Sequence, residues 1–215
     1  MLFCVVLVLT VPLLRRGLVP GHDWVYQLNR VQNIGNGLKL GLFPNKIHVF
    51  SFNGYGYGSG LFYSDFFLYL PATLMFLGLS LNISYKLFLL LVIILLTCSS
   101  YFSGKYIFKS RLAGTLTAIF FVTSQTIITN MYVRCALGET LATIFIPITI
   151  VALYNIVYEK FSKPHLLILA FTGLIYTHTI TLFLAGLISL FIILVNMNKV
   201  FVLKKEVVDI ISISF

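Results

Sequence analysis

Three carboxylates stand out in this chain, because only six of its 215 residues are acidic. Asp23 follows an apolar run in VPGHDWVYQLNR, Asp65 lies in LFYSDFF, and Glu139 lies in ALGE. A carboxylate can take up a proton from a reacting group, and hydrogen-bond donors nearby can stabilise negative charge that develops during a reaction. The candidate donors are Arg134, five residues before Glu139, and His178 in YTHTIT. These residue types suit acid–base chemistry and the binding of an anion.

Each of these residues also has a purely structural explanation. Asp23 can cap the helix that follows it, and Glu139 gains from the dipole at a helix N-terminus. Arg134 can form a plain ion pair with Glu139. His178 can be satisfied by the threonines around it, and Asp65 can simply terminate a turn. The residue types alone leave these alternatives open.

Four further residues are weaker candidates. Arg30 can reach a donor phosphate or lipid head groups, although snorkelling to the membrane surface is the simpler explanation. His22 can orient the aspartate beside it. Tyr55 and Tyr57 alternate with glycines in NGYGYGSG, a stretch that cannot hold a helix. That stretch is either a flexible turn or a loop whose tyrosines contact a sugar or cover a site.

The composition predicts an all-α integral membrane protein. Hydrophobic residues make up 59% of the chain and charged residues 10%, with a mean hydropathy of +1.00. A soluble domain is nearer half apolar and a quarter charged. The net charge of +9 is spread between apolar runs, which is typical of the positive-inside rule and not of a nucleic-acid-binding surface. Cys4, Cys98 and Cys135 lack metal-ligand spacing, and we expect free thiols.

The basic loops predict a topology. Three loops are basic and should be cytoplasmic: GKYIFKSR, YEKFSKP and NKVFVLKKE, at residues 104–111, 158–164 and 198–206. The apolar runs 87–103 and 141–157 then cross in the same direction, and 112–129 crosses in the opposite direction. The run 166–195 must leave and return as two short helices that meet near YTHTIT. Residues 86–197 therefore hold about five transmembrane helices.

The region before these runs is predicted to be external. Residues 1–14 form a short first membrane helix, and residues 15–85 form one large external loop within a single membrane domain, 1–215. Apolar residues from Trp24 to Leu42 recur every three or four positions, which predicts an amphipathic helix lying on the membrane surface. The run 66–79 is short and contains proline, so we expect an interfacial or re-entrant helix there.

The stretch GHDWVYQLNRVQNIGNGLKLGLFPNKIHVFSFNGYGYGSGLFYSDFFLYLP resembles the start of the bacterial and archaeal membrane proteins named for a 6-pyruvoyl-tetrahydropterin synthase-related domain. MYVRCALGE is similar to the same family. The family name does not imply pterin chemistry here, because the four histidines are dispersed. Members are usually much longer, so this chain is expected to be the N-terminal part of a longer protein, as VVDIISISF at its end also indicates.

The layout also resembles the GT-C superfamily of polytopic glycosyltransferases, which carry one acid early in the first external loop and another in the next. Asp23 and Glu139 match those positions. The resemblance implies transfer of a sugar from a polyprenyl-phosphate donor in the membrane to an extracytoplasmic acceptor. It allows a divalent cation, Mg²⁺ or Mn²⁺, on the two acids, although ALGE lacks the paired acids of several families. The alternative is a non-catalytic protein: a lipid-linked-sugar transporter or a cell-envelope component.

Overall fold

The computed structural model describes residues 1–18, 20–159 and 161–200, and all regular secondary structure in these ranges is helical. Most of the third basic loop and the terminal VVDIISISF lie outside the described residues. The α-helices are α1 Leu2–Thr10, α2 Trp24–Lys39, α3 Ser59–Phe62, α4 Tyr69–Phe76, α5 Leu81–Phe108, α6 Arg111–Val122, α7 Gln125–Ile128, α8 Leu137–Tyr158, α9 Pro164–Ile175 and α10 Thr179–Val195. Short 3₁₀ turns occupy Val11–Leu14, Phe52–Gly54 and Phe66–Leu68, and a π-helical turn occupies Thr129–Val133.

Two described helices, α5 and α8, are long and apolar enough to cross a membrane. A third crossing is possible if α6 and the segment Gln125–Val133 form one span, although the chain bends by 48° between them. The bend lies where Ser124 adopts an extended ψ of 142°, which interrupts the helix predicted over 112–129. The predicted break in 166–195 is confirmed, because α9 ends at Ile175 and α10 begins at Thr179.

Helices α5 and α8 run in the same direction, as the basic loops predict. At their C-terminal ends the Tyr106 hydroxyl donates to Glu159, and the buried Asn155 binds Glu159 and Ser162 through Nδ2 at 2.9 Å each. The α9–α10 hairpin has its tip at the opposite, N-terminal end of α8. There a Cβ on Gly138 would lie 3.1 Å from the Thr177 carbonyl oxygen. The hairpin tip therefore lies beside the start of α8.

Glycines allow these helices to approach closely. A Cβ on Gly104 of α5 would lie 2.4 Å from Oγ1 of Thr117 on α6. A Cβ on Gly173 of α9 would lie 2.2 Å from the Phe145 ring on α8. Small residues at helix contacts are typical of membrane bundles, where packing replaces the hydrophobic effect as the main attraction.

Helix α2 is amphipathic as predicted, but its apolar face is covered by protein. Val31 and Ile34 are fully buried, and a Cβ on Gly35 would lie 3.5 Å from the Ala72 carbonyl oxygen on α4. The predicted position flat on the membrane surface therefore needs correction, since α4 occupies the face that lipid would contact. The segment Phe66–Phe76, which contains α4, is a short apolar helix, as expected for an interfacial element.

Candidate active site

One cavity of about 280 Å³ brings together five of the predicted site residues. Asp23 lies at the start of α2, Arg30 lies two turns further on, and Arg134 follows the π-helical turn. Glu139 lies in the first turn of α8, and His178 lies at the tip of the α9–α10 hairpin. We call this space the acidic cavity; these five residues are part of its lining.

Backbone pairing holds the start of α2 against the segment before α8. The amide of His22 donates to the Val133 carbonyl at 2.9 Å, and the amide of Asp23 donates to the Arg134 carbonyl at 3.0 Å. Gly21 makes this pairing possible, because a Cβ there would lie 2.5 Å from Sγ of Cys135 and 2.7 Å from the Val133 oxygen. The glycine of the GHD motif is therefore required for close approach of two backbones.

The Asp23 carboxylate does not cap α2. Asp23 occupies the N-cap position, but its side chain accepts no capping hydrogen bond. The side chain is exposed, and no hydrogen bond joins it to any other part of the described chain. The capping explanation is therefore not supported, and Asp23 presents an unengaged carboxylate to the acidic cavity.

Arg134 and Glu139 form a bidentate ion pair. Nη1 and Nη2 of Arg134 donate to the two carboxylate oxygens of Glu139 at 2.8 Å each. Asn130 joins them, donating through Nδ2 to Glu139 at 3.1 Å and accepting from Arg134 at 2.8 Å. Hydrogen bonding and the charge of Glu139 raise the pKa of Arg134, and the charge of Asp23 adds to this effect. Two fork-like hydrogen bonds give a defined geometry as well as attraction.

His178 uses one ring nitrogen, Nδ1, to cap α10 and leaves the other, Nε2, available. Its Nδ1 accepts the backbone N–H of Thr181 at 3.4 Å and lies 2.8 Å from the Thr181 hydroxyl, so the ring caps α10. A backbone N–H can only donate, so a neutral ring carries its proton on Nε2. The predicted threonine partner is thus present at Nδ1, and the donor at Nε2 has no hydrogen-bond partner within the described residues.

Arg30 is engaged in a buried network behind the acidic cavity. Its Nε and Nη2 donate to Oδ1 of Asp65 at 3.1 and 2.6 Å, Nη1 donates to Gln27 at 3.0 Å, and Nη2 also donates to the Ser64 carbonyl at 2.9 Å. The side chains of Arg30 and Asp65 are only 6% and 3% exposed. Arg30 therefore does not snorkel, and most of its donors are already used by the protein.

His48 completes this network, and sequence reasoning did not identify it. Its Nε2 lies 3.2 Å from Oδ2 of Asp65, and the ring is almost fully buried. Burial would raise the pKa of the Asp65 carboxyl, but hydrogen bonds and charge from His48 and Arg30 hold it below its usual value. His48 lies 17 residues from Asp65, in a loop without helical periodicity, so no local pattern links the two.

Two aromatic rings contact the Arg30 guanidinium. Its central carbon lies 5.5 Å from the Tyr26 ring centroid and 5.6 Å from that of Tyr63, both within cation–π range. The Tyr26 hydroxyl pairs with the Ser59 hydroxyl at 2.8 Å, and burial raises the pKa of Tyr26. Tyr26 and Tyr63 therefore line the acidic cavity as parts of a preformed wall.

Four predicted site residues do not line the acidic cavity. His22 is exposed, and its backbone rather than its ring makes the contact described above. Tyr55 is 93% exposed, and Tyr57 lines a different cavity. Asp65 lies behind the wall, bound to Arg30, so it does more than terminate a turn.

The donors around the acidic cavity do not fit a resident divalent cation. Among the residues that the structure describes, no group of three or more His, Cys, Asp or Glu side chains is arranged to share a metal ion. Both carboxylate oxygens of Glu139 already accept from Arg134, so Glu139 would have to release that ion pair to bind Mg²⁺ or Mn²⁺. Asp23 alone is an insufficient ligand set for such a site.

The sequence is similar to an uncharacterized protein of Lactococcus lactis subsp. cremoris (strain MG1363), with 25% identity over 178 residues. The matched part covers 80% of this chain and 29% of the relative, so the chain spans well under half of that protein's length. No family model and no solved structure matches the chain. Function must therefore be argued from the site.

Proposed function

We propose that this protein is a multi-pass membrane glycosyltransferase of the GT-C type. It moves a sugar from a polyprenyl-phosphate donor to an acceptor hydroxyl at the extracytoplasmic face. The observation that carries the proposal is the acidic cavity, in which an unengaged carboxylate faces an arginine and a histidine donor from distant parts of the chain. Functional sites typically bring together, in one cavity, side chains with shifted pKa values and polar groups that have no hydrogen-bond partner.

In the proposed reaction the acceptor oxygen attacks the anomeric carbon, and the bond between that carbon and the phosphate oxygen breaks. The Asp23 carboxylate takes the acceptor proton, and polyprenyl phosphate leaves as an anion. Nε2–H of His178 and the guanidinium of Arg134 supply hydrogen bonds to the departing phosphate. Glu139 holds Arg134 in place, and no step requires a metal.

The surroundings of Asp23 favour this role over a structural one. A structural aspartate at a helix start is expected to accept a capping hydrogen bond, and Asp23 does not. The described spans also lack charged side chains in their middle portions, which disfavours ion-coupled transport. These two observations rank the transferase above the transporter.

The test is transfer from a radiolabelled polyprenyl-phosphate sugar in membranes that contain the full-length protein. Asp23→Asn should abolish transfer while the protein still inserts and accumulates. Glu159→Gln removes a carboxylate from the other end of α8 and should leave transfer unchanged. Full activity in Asp23→Asn would exclude its role as the base. If the wild-type protein transfers no sugar from any donor tested, the non-catalytic alternative becomes the better one.

Sidedness can be tested separately with single cysteines in a protein without native cysteines. An impermeant thiol reagent added to intact cells should label positions 23, 139 and 178 but not position 107. Labelling of 23 and 139 from opposite sides of the membrane would exclude a shared site.

A further inference from the structure

A second cavity, of about 430 Å³, lies beside the acidic cavity. We call it the carboxamide cavity; one side is formed by Asn29, Gln32, Asn33 and Asn36 of α2. Its volume lies in the range of about 300–1,000 Å³ that is typical of small-molecule sites. Tyr26 and Arg30 line both cavities, so the two cavities adjoin at these residues.

The four carboxamides share one face of α2, because their spacing of three and four residues follows the helical repeat. Only Asn33 is committed to the protein, donating through Nδ2 to the Asn29 carbonyl at 2.8 Å and accepting from the Phe50 amide at 3.2 Å. Within the described residues, the side chains of Asn29, Gln32 and Asn36 make no hydrogen bond. Each therefore offers both a donor and an acceptor to a ligand.

Aromatic side chains form the facing wall. Phe50 and Phe52, which precede the glycine-rich stretch, and Tyr57 within it line the cavity. The rings of Phe52 and Tyr57 meet edge to face, with centroids 5.4 Å apart. The amides and carbonyls of His48 and Tyr57 pair in both directions, at 2.8 and 3.2 Å, which fixes Tyr57 in place. A wall of this kind offers apolar ring surface to a ligand.

The lining contains no unpaired charge. The basic side chains in it, Arg30 and His48, are both bound to Asp65. An anionic or cationic ligand would therefore find no counter-ion here. A ligand with many hydroxyls and an apolar ring face fits better, because hydroxyls both donate and accept, and C–H groups pack on aromatic rings.

We propose that the carboxamide cavity binds a neutral sugar. The sugar hydroxyls hydrogen-bond to the carboxamides of α2, and one face of the sugar ring packs on the wall formed by Phe50, Phe52 and Tyr57. The binding is a property of this cavity and does not require that the acidic cavity be catalytic. A neutral blocked peptide is the competing ligand, since carboxamides also pair with peptide groups.

The test uses the full chain in lipid nanodiscs and saturation-transfer NMR. The probes are maltotriose, mannotriose and chitotriose, with a charged trigalacturonate and an N-acetylated triglycine amide for comparison. At least one neutral trisaccharide should bind, and Gln32→Leu/Asn36→Leu should weaken its binding at least about tenfold through lost hydrogen bonds. Gln125→Leu changes an exposed glutamine elsewhere and should have no effect.

Asp23→Asn should leave this binding intact, which separates the proposal from the transfer reaction. Tyr57→Ala provides a second disruption if the double variant does not fold. The proposal is overturned if no neutral trisaccharide binds, if both disruptions leave binding unchanged, or if only the triglycine amide or trigalacturonate binds.

Discussion

The buried pair between Arg30 and Asp65 should contribute strongly to stability. Two donors of Arg30 contact Oδ1 of Asp65, at 2.6 and 3.1 Å, and both side chains are more than nine-tenths buried. Asp65→Asn removes the charge that compensates the guanidinium. Arg30 then keeps Gln27 and the Ser64 carbonyl, but its positive charge is buried without a counter-ion. Removing one partner from a buried pair typically costs about 3–5 kcal/mol.

The assay is unfolding in mixed micelles with increasing SDS, followed by far-UV circular dichroism. Lys109→Met is the matched control, because it breaks the pair between Lys109 and Glu159, where the lysine side chain is 64% exposed. An exposed pair of this kind is worth about 0–1 kcal/mol. The variant Arg30→Met/Asp65→Leu should recover part of the loss, since it leaves neither charge buried alone.

One result would refute this reasoning. If Asp65→Asn lowers the unfolding free energy no more than Lys109→Met does, the pair does not act as a buried ion pair. The wall between the two cavities would then have to be held by the packing of α2 on α4 alone.

Two further predictions follow from the same region. Gly21→Ala should separate the start of α2 from the segment before α8, because the added Cβ would overlap Cys135. Sugar transfer should therefore fall, while the helix content measured by circular dichroism stays the same. Unchanged transfer would show that this contact does not position Asp23. Because the pKa of Asp65 is lowered in the fold, its stabilising effect is fully present above its unfolded pKa of about 3.9 and is lost as pH falls through the folded pKa. The stability difference between wild type and Asp65→Asn should therefore be constant near neutrality and shrink below about pH 4, and a difference independent of pH in SDS titrations would contradict the lowered pKa.

The sequence predicted the parts of the fold that depend on local patterns. Apolar runs located α5 and α8, and the basic loops predicted that these helices point the same way, as the contact of Tyr106 with Glu159 bears out. The same patterns could not show that the 112–129 run would bend at Ser124. They also placed α2 on the membrane surface, because periodicity identifies an apolar face but not what covers it.

The site was partly predictable for a related reason. Asp23, Glu139 and His178 were grouped by topology, and they do line one cavity. The partner of Asp65 was not predictable, because His48 reaches it through a loop without periodicity. The carboxamide stripe on α2 was visible in the spacing of its asparagines, but the spacing alone cannot show whether solvent or an aromatic wall faces it.

Arg30 connects these observations. Its guanidinium contacts two tyrosine rings and is held by Asp65, so it forms part of the boundary between the acidic cavity and the carboxamide cavity. Most donors of Arg30 are used by the protein, so the proposed reaction assigns the donor phosphate to Arg134 and His178. The buried network is thus best explained as the element that fixes two adjacent cavities relative to each other, one lined by ionisable groups and the other by neutral ones.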